Sequence, residues 1–406
     1  MSGDPILENK AFRKGSYLHH VSDPDEKNIA IFSHLEAQDE DYADEGIHWA
    51  IKDLKDKIQL GHIVGGNARC KAMLEALKIF IREYEFPRNR AANRDLEDKI
   101  DHFINYVKKS RPLSFGMETA VKYLKLKINK IPLDAENYSD FEQKIKKWLV
   151  DQIKAFIRDK IELPISIIAT KASDIIKDRD VILIYGCSSA VLASLIKAKE
   201  LGRNFRVIIS DSRPHFEGKK ACDRLIQAEI QCTYILISSI SYHMVEVTRV
   251  FLGASGLTTN GFLLSRAGTA LVCCVANAFK KPVLVCTETY KFSEKVQIDA
   301  ICYNEIGNSD ELVSTQFYQG DVRLKPTLVD WKNQQNLNIL NLKYDLTPAH
   351  YIDMLVTEVG CIPVTSVPVV LREFSLDAQQ SDNKDPELEL MLNTQAENKA
   401  PELNTV

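Results

Sequence analysis

Three stretches of this sequence carry side chains whose types and spacing suit anion chemistry. In Val181-Ile-Leu-Ile-Tyr-Gly-Cys-Ser-Ser189 an apolar, strand-like run enters a small-residue turn. Gly186 permits a sharp backbone turn, and Ser188 or Ser189 can cap a following helix whose free N–H groups suit an anion. A plain capped strand-to-helix junction needs the same residues. In Val207-Ile-Ile-Ser-Asp-Ser-Arg-Pro-His-Phe-Glu-Gly218, Arg213 stands just past a strand end and Pro214 is placed to open a helix. Arg213 would face a phosphate or carboxylate, or else pair with Asp211 to order the turn. In Gly253-Ala-Ser-Gly-Leu-Thr-Thr-Asn-Gly-Phe-Leu-Leu-Ser-Arg-Ala-Gly-Thr269, Asn260-Gly261 reads as a tight turn, and Gly268-Thr269 opens an apolar helix through Phe279. Three such turns at successive strand ends of one sheet make a pocket.

Other chemistries lack their residues. The chain has no GxxxxGK[ST] and no GxGxxG at a strand-to-helix turn. Its nine cysteines form no CxxC pair and no zinc-spaced cluster with histidine, so neither a metal nor a cofactor is expected. Most of these cysteines lie in apolar runs and read as reduced core thiols of a cytosolic protein. His215 and His243 are isolated and read as structural or exposed.

The elements that must position these residues follow from periodicity. Residues 1–43 are polar and charged and read as loosely ordered, apart from a short apolar patch at 29–35. From 44 to 173 apolar residues recur at helical spacing. Leu96, Ile100, Phe103, Ile104 and Val107 form one stripe, and Met117, Val121, Leu124 and Ile128 a second. Phe141, Ile145, Trp148, Leu149, Phe156, Ile157 and Ile161 form a third. Between 174 and 374 the pattern changes to β-rich runs at 181–185, 205–210, 233–237, 250–253 and 283–286, separated by helical stretches. The fold class is therefore α/β, an all-helical N-terminal domain followed by a Rossmann-like, doubly wound parallel-sheet domain.

Residues 375–406 hold seven acids and two lysines, read as an acidic disordered tail, and leave the rest of the chain at a formal +1. The total of −4 gives no electrostatic reason to expect nucleic acid or an anionic membrane as partner. The first residues show no basic-then-apolar signal pattern, and no uncharged run is long enough to span a bilayer.

Several ordered motifs carry a resemblance. Asn67-Ala-Arg-Cys70, Arg111-Pro-Leu-Ser114, Tyr185-Gly-Cys-Ser-Ser189, Asp211-Ser-Arg-Pro214, Ser265-Arg-Ala-Gly-Thr269, Glu288-Thr-Tyr-Lys-Phe292, Tyr344-Asp-Leu-Thr-Pro348 and Val367-Pro-Val-Val-Leu-Arg372 follow one another along the chain. Together they resemble the delta-subunit family of eukaryotic translation initiation factor 2B, from about Ala30 to Arg372. The same superfamily contains sugar-phosphate isomerases of the methylthioribose-1-phosphate isomerase type, which use a Cys after the first strand and an Asp in a Gly-Ala-Asp…Asn-Gly-Asp region. Here Gly186 takes the Cys position and Ser255 and Phe262 the acid positions, none of which exchanges a proton as a carboxylate does.

The resemblance implies a non-catalytic regulatory subunit of a guanine-nucleotide exchange complex. Its expected partners are the alpha, beta, gamma and epsilon subunits of factor 2B in a two-fold symmetric assembly, and initiation factor 2 through its alpha subunit. It also implies that the helical domain touches that alpha subunit, with Arg94, Asp159 and Leu163 as the expected contacts. Gly186, Ser188, Arg213, Arg266, Gly268 and Thr269 are expected to outline a vestigial phosphate pocket. Leu340 and Leu342, in the apolar segment before Asp345, are expected at a subunit interface, although ordinary core accounts for them equally well. The competing reading is an active isomerase.

Overall fold

The computed structural model describes residues 46–87, 92–131, 138–313 and 330–380, with Phe32 and Leu328 besides. The expected loose segment 1–43, Phe32 apart, and the acidic stretch beyond 380 lie outside these residues.

Helices come first: α1 (Trp49–Gln59), α2 (Gly66–Glu83), α3 (Ala92–Ser110), α4 (Phe115–Asn129) and α5 (Tyr138–Phe156). Their apolar stripes bury one common core in which Leu96, Ile100, Met117, Leu124, Trp148 and Leu149 are almost wholly covered. Side chains three and four apart meet on one helix face, and burying that face, rather than intrinsic propensity, holds such helices. The third stripe does not continue as one α-helix. Ile157–Glu162 form a π-helical turn, with the N–H of Leu163 reaching back five residues to the Arg158 carbonyl, before α6 (Leu163–Ile175) resumes. Pro164 has no N–H to give to the carbonyl four residues earlier, so the regular ladder is interrupted at this point.

In helix α6, Ile168 and Ala172, inside the stretch expected to be helical domain, pack with α7 (Ser189–Glu200) on one face of the sheet. The strands and remaining helices follow in order: β1 (Val181–Tyr185), α7, β2 (Arg206–Asp211), α8 (Glu217–Gln227), β3 (Gln231–Leu236), β4 (Arg249–Gly253), β5 (Gly256–Thr258), β6 (Leu263–Arg266) and α9 (Thr269–Ala278). Then come β7 (Val283–Cys286), β8 (Phe292–Ser293), β9 (Tyr344–Thr347), β10 (Met354–Val356), β11 (Cys361–Ile362) and α10 (Val367–Gln380). The last helix runs six residues into the stretch expected to be a tail.

The main sheet has the order β11-β10-β7-β4-β1-β2-β3 and is parallel except for the β10–β11 pair. Alternation along β1 explains the double winding. Leu183 and Tyr185 face the core shared with α9 and α10, while Ile182 and Ile184 face α6, α7 and α8. Strands covered on both faces need apolar residues at every position, as β1 has. A second sheet, β8-β5-β6-β9, is an addition that the sequence did not announce. Its strands are two to four residues long, too short for alternation to register, and Asn260-Gly261 makes the β5–β6 turn with Gly261 at φ +80°. No described helix is long and apolar enough to cross a membrane.

All nine cysteines are free. The expectation of core thiols needs correcting, since Cys70, Cys273 and Cys286 are buried but Cys274, Cys302 and Cys361 are exposed. Burial pushes the Cys70 thiol up to about 12, so it remains protonated and unreactive near neutrality.

Candidate functional site

The strand order reverses direction at β1, with β2 and β3 on one side and β4 and β7 on the other. In such sheets the crevice lies beyond the carboxyl ends of the strands beside that switch. A small cavity of about 40 Å³ opens there, its walls including Gly186, Arg213, Glu217, Arg266, Leu342 and Lys343. That volume holds two or three waters. The structure thus brings three of the expected pocket residues, Gly186, Arg213 and Arg266, to one cavity, and adds Leu342 to its wall.

The other three do not line it. Ser188 occupies the N-cap position of α7 but its side chain makes no capping bond; a side chain at Gly253 would collide with it. Gly268, at φ +107°, gives its N–H to Asp345 Oδ2 at 2.7 Å, and the Ala270 N–H joins the same oxygen at 2.9 Å. Thr269 is buried, its hydroxyl donating to the Arg266 carbonyl at 2.6 Å. The helix start expected to receive a phosphate therefore holds the chain's own carboxylate, the favourable partner for a helix N-terminus. Pro214 also departs from expectation: it sits in the turn before α8, not in its first turn.

The cavity's cations are likewise engaged from within. Arg266 Nε lies 3.0 Å from Glu217 Oε2, with a second contact between the two groups, and the guanidinium covers the Tyr344 ring. Lys343 Nζ is 2.8 Å from Glu305 Oε1, which also takes Arg111 Nε at 2.5 Å. Burial alone would raise the Glu305 carboxyl, but Arg111 and Lys343 hold it below its usual value. Arg213 donates to the Leu312 carbonyl at 3.0 Å. Asp211 is buried and accepts from the Tyr234 hydroxyl at 2.8 Å and from the Ser212 N–H.

Asp345 was missed by the sequence reading. Burial pushes its carboxyl up to about 7, partly opposed by the backbone N–H groups of α9's start. It reaches residues more than seventy positions earlier, a distance that no local spacing reveals. Its neighbour Tyr185 donates to the Ala267 carbonyl and meets the Ser212 hydroxyl at 2.7 Å, closing the cavity floor. Among the described residues no group of three or more His, Cys, Asp or Glu is arranged to hold a metal.

Gly186, Ser255 and Phe262 occupy the three positions at which the resemblance expects the isomerases' Cys and Asp. Gly186 stands at φ +64° on the cavity wall. Burial raises the neighbouring Cys187 thiol. Ser255 gives its N–H to the Leu264 carbonyl and Phe262 its carbonyl to the Thr258 N–H, both within the second sheet's hairpin.

Arg94, Asp159 and Leu163 are all exposed, the first near the start of α3 and the others on or just after the π turn. Asp159 pairs with Arg158 at 2.7 Å, and that guanidinium lowers its carboxyl. Helix α3 packs on α1 and α4, and the π turn on α2, α5 and α6, so a partner reaching both must span the domain. Leu340 and Leu342 are half-buried, and Leu342 bridges to Ile306.

A profile of the Initiation factor 2 subunit family matches residues 62–364, most of the described chain. The chain belongs to that family. Among curated relatives it is 40% identical over 354 residues to the translation initiation factor eIF2B subunit delta of Schizosaccharomyces pombe, covering 86% of this chain and 74% of the relative. It is 26% identical to the ribose 1,5-bisphosphate isomerase of Pyrococcus furiosus over 79% of this chain and 93% of that one. Among solved structures it resembles a chain of the tetrameric eIF2B-beta2-delta2 complex from C. thermophilum, with a TM-score of 0.69 and 27% identity, covering 81% of this chain and 97% of the other. The motifs from Asn67 to Arg372 are therefore those of an initiation factor 2B delta-type chain, and the isomerase is the more distant kin.

Proposed function

We propose that this chain is a non-catalytic, delta-type regulatory subunit of the initiation factor 2B exchange complex, acting in the cytosol. The carrying observation is the family cavity turned inward: Asp345 caps the helix start and Glu217 and Glu305 neutralise Arg266 and Lys343. With the α9 start, Arg266 and Lys343 already held by internal carboxyl groups, most of the site's attraction for a sugar phosphate is spent within the chain. With Gly186, Ser255 and Phe262 at the positions of proton exchange, no base is positioned for isomerisation. The purified chain is expected to show no turnover of ribose 1,5-bisphosphate or methylthioribose-1-phosphate. Turnover above background that vanishes in Arg213→Ala would restore the isomerase reading.

In this role the chain docks on a homologous beta subunit, and the pair meets its symmetry mate, with the segment around Leu340 and Leu342 at the contact. Gamma and epsilon subunits supply the exchange activity, and the alpha subunit completes the regulatory core. Initiation factor 2 presents its alpha subunit to the helical domain at Arg94, Asp159 and Leu163. A phosphoserine there brings nearly two negative charges and acts through nearby basic groups or by ordering a segment.

The test is GDP release from factor 2 by the reconstituted complex, with and without that phosphate. Asp159→Lys and Arg94→Asp are expected to leave assembly and unphosphorylated exchange within twofold of the parent while lifting the inhibition at least tenfold. If both variants remain fully inhibited, the helical domain is not the sensing surface.

A further inference from the structure

Three motifs that the cavity does not use converge at the seam between the helical domain and the sheet domain. Asn67 lies in the first turn of α2, Phe115 and Gly116 open α4, and Glu288-Thr-Tyr-Lys291 follow β7. Both ends of the Asn67 amide are engaged across the seam. Its Nδ2 donates to Glu288 Oε1 at 2.6 Å, and its Oδ1 accepts from the Tyr290 hydroxyl at 2.6 Å. Glu288 is wholly buried, and Lys291 Nζ lies 2.6 Å from its other oxygen, an ion pair without hydrogen-bond alignment. Lys291 spends a proper hydrogen bond on the Ala254 carbonyl at 3.2 Å. The Tyr290 ring meets Phe156 edge-on and lies so close to Gly116 that a side chain there would collide with it. Thr289 bonds Glu358, whose carbonyl takes Lys171 of α6 at 2.8 Å.

An apolar seam would hold two domains together as firmly, because taking charges out of water costs about what their attraction returns. What the buried amide adds is direction: the two hydrogen bonds of Asn67, with Lys291 balancing the Glu288 charge, fit in one arrangement, whereas apolar surfaces slide. The pair is also out of reach of any partner, so it serves orientation inside the chain.

We propose that Asn67, Glu288 and Lys291 form a buried polar latch that fixes the angle of the helical domain on the sheet domain. They are positioning residues for the phosphate response, which rests on the subunit role assigned above. The helical domain carries the proposed factor 2 contacts and the sheet domain the proposed subunit contact, so a fixed angle makes a load on one register at the other.

The test uses the full chain, alone and in the reconstituted complex. Asn67→Ala cuts the cross-seam bonds, and the double variant Glu288→Met/Lys291→Met replaces the pair by apolar groups of similar size that leave Asn67 without its acceptor and no charge buried. Orthogonally introduced spin labels at the exposed positions 108 and 219 report the interdomain distance. Both variants are expected to melt within a few degrees of the parent, to broaden the distance distribution at least twofold, and to weaken phosphate-dependent inhibition at least tenfold with basal exchange within twofold. An unchanged distance distribution in folded variants would overturn the latch, leaving the packing of Phe115 and Tyr290 to set the angle. A broadened distribution with inhibition intact would overturn the coupling. Should the parent chain neither assemble nor respond to the phosphate, the subunit reading fails, while the distances in the isolated chain still decide the latch.

Discussion

Replacing Gly268 by alanine is expected to cost about 3 kcal/mol of folding stability, a large loss for a change of one methyl group. Two effects add. The backbone there sits at φ +107°, a conformation that costs a residue with a Cβ roughly 1–2 kcal/mol. The new methyl would also overlap the Tyr185 hydroxyl and crowd Ile237. Denaturant unfolding of three variants separates the two contributions. Tyr185→Phe alone leaves the half-buried Ala267 carbonyl short of a donor and should lose about 1 kcal/mol. Because it also removes the atom that the methyl hits, the double variant should be about 1 kcal/mol more stable than the sum of the single changes predicts. Simple additivity would mean that backbone strain, with the crowding by the Tyr185 ring and Ile237 that the double variant keeps, accounts for the loss.

The second large effect is a pH dependence. Folded Asp345 titrates near 7 against an ordinary 3.8, so between those values the folded chain holds a proton that the unfolded chain has released. Stability then falls as pH rises, by roughly 1.4 kcal/mol per unit, and the contribution is complete below about 3.8 and gone above about 7. Between pH 5 and 7 the loss is about 2 kcal/mol. Asp345→Asn keeps an oxygen for the Gly268 and Ala270 N–H groups and removes the proton, so its curve should lack this slope. Taking the difference between parent and variant cancels other groups that titrate in the same range, His215 among them, whose value burial lowers. Parallel curves for the two proteins would show that the carboxylate is ionised throughout and that the helix start, not burial, governs it.

The contrast between what the residues disclosed and what they hid follows the range of the interactions. Strands β1 and β7 were legible to the residue because double-sided burial leaves nothing polar in Val181–Tyr185 and Val283–Cys286. The helical stripes were legible because i, i+3 and i+4 neighbours are local. The π turn was not, since it depends on one proline and a single displaced hydrogen bond rather than on a pattern. Strands β5, β6, β8 and β9 are too short to show a period, and the β9 partner of β6 lies some eighty residues away.

The site divides in the same way. Gly186, Arg213 and Arg266 were found because each marks a strand end with a characteristic turn. Glu217, Glu305 and Asp345, which hold Arg266, Lys343 and the start of α9, were not. Arg266 meets Glu217 across 49 residues and Arg111 meets Glu305 across 194, separations at which only the topology brings partners together. A sequence scan records the cations of such a cavity and leaves out the carboxylates that silence them.

The π turn at Ile157–Glu162 carries one residue more than a regular helical turn would need. One α-helical residue corresponds to about 100° of rotation. Deleting a single residue between 157 and 162 would return the segment to α-helical spacing, with Pro164 still unable to give an N–H to the ladder. Because the π turn takes up its extra residue without that advance, the deletion would leave the rotational setting of α6 unchanged. Drawing all six residues into regular α-helix would instead turn α6 by about a quarter of a revolution about its own axis. In that regular helix Ile168 and Ala172 would leave the sheet face, and the half-buried Ile167 and Lys171 would swing toward it. The π turn is thus a phase corrector: it gives up local regularity to absorb one residue and keeps the rotational setting between a helix that belongs to the bundle and one that belongs to the sheet.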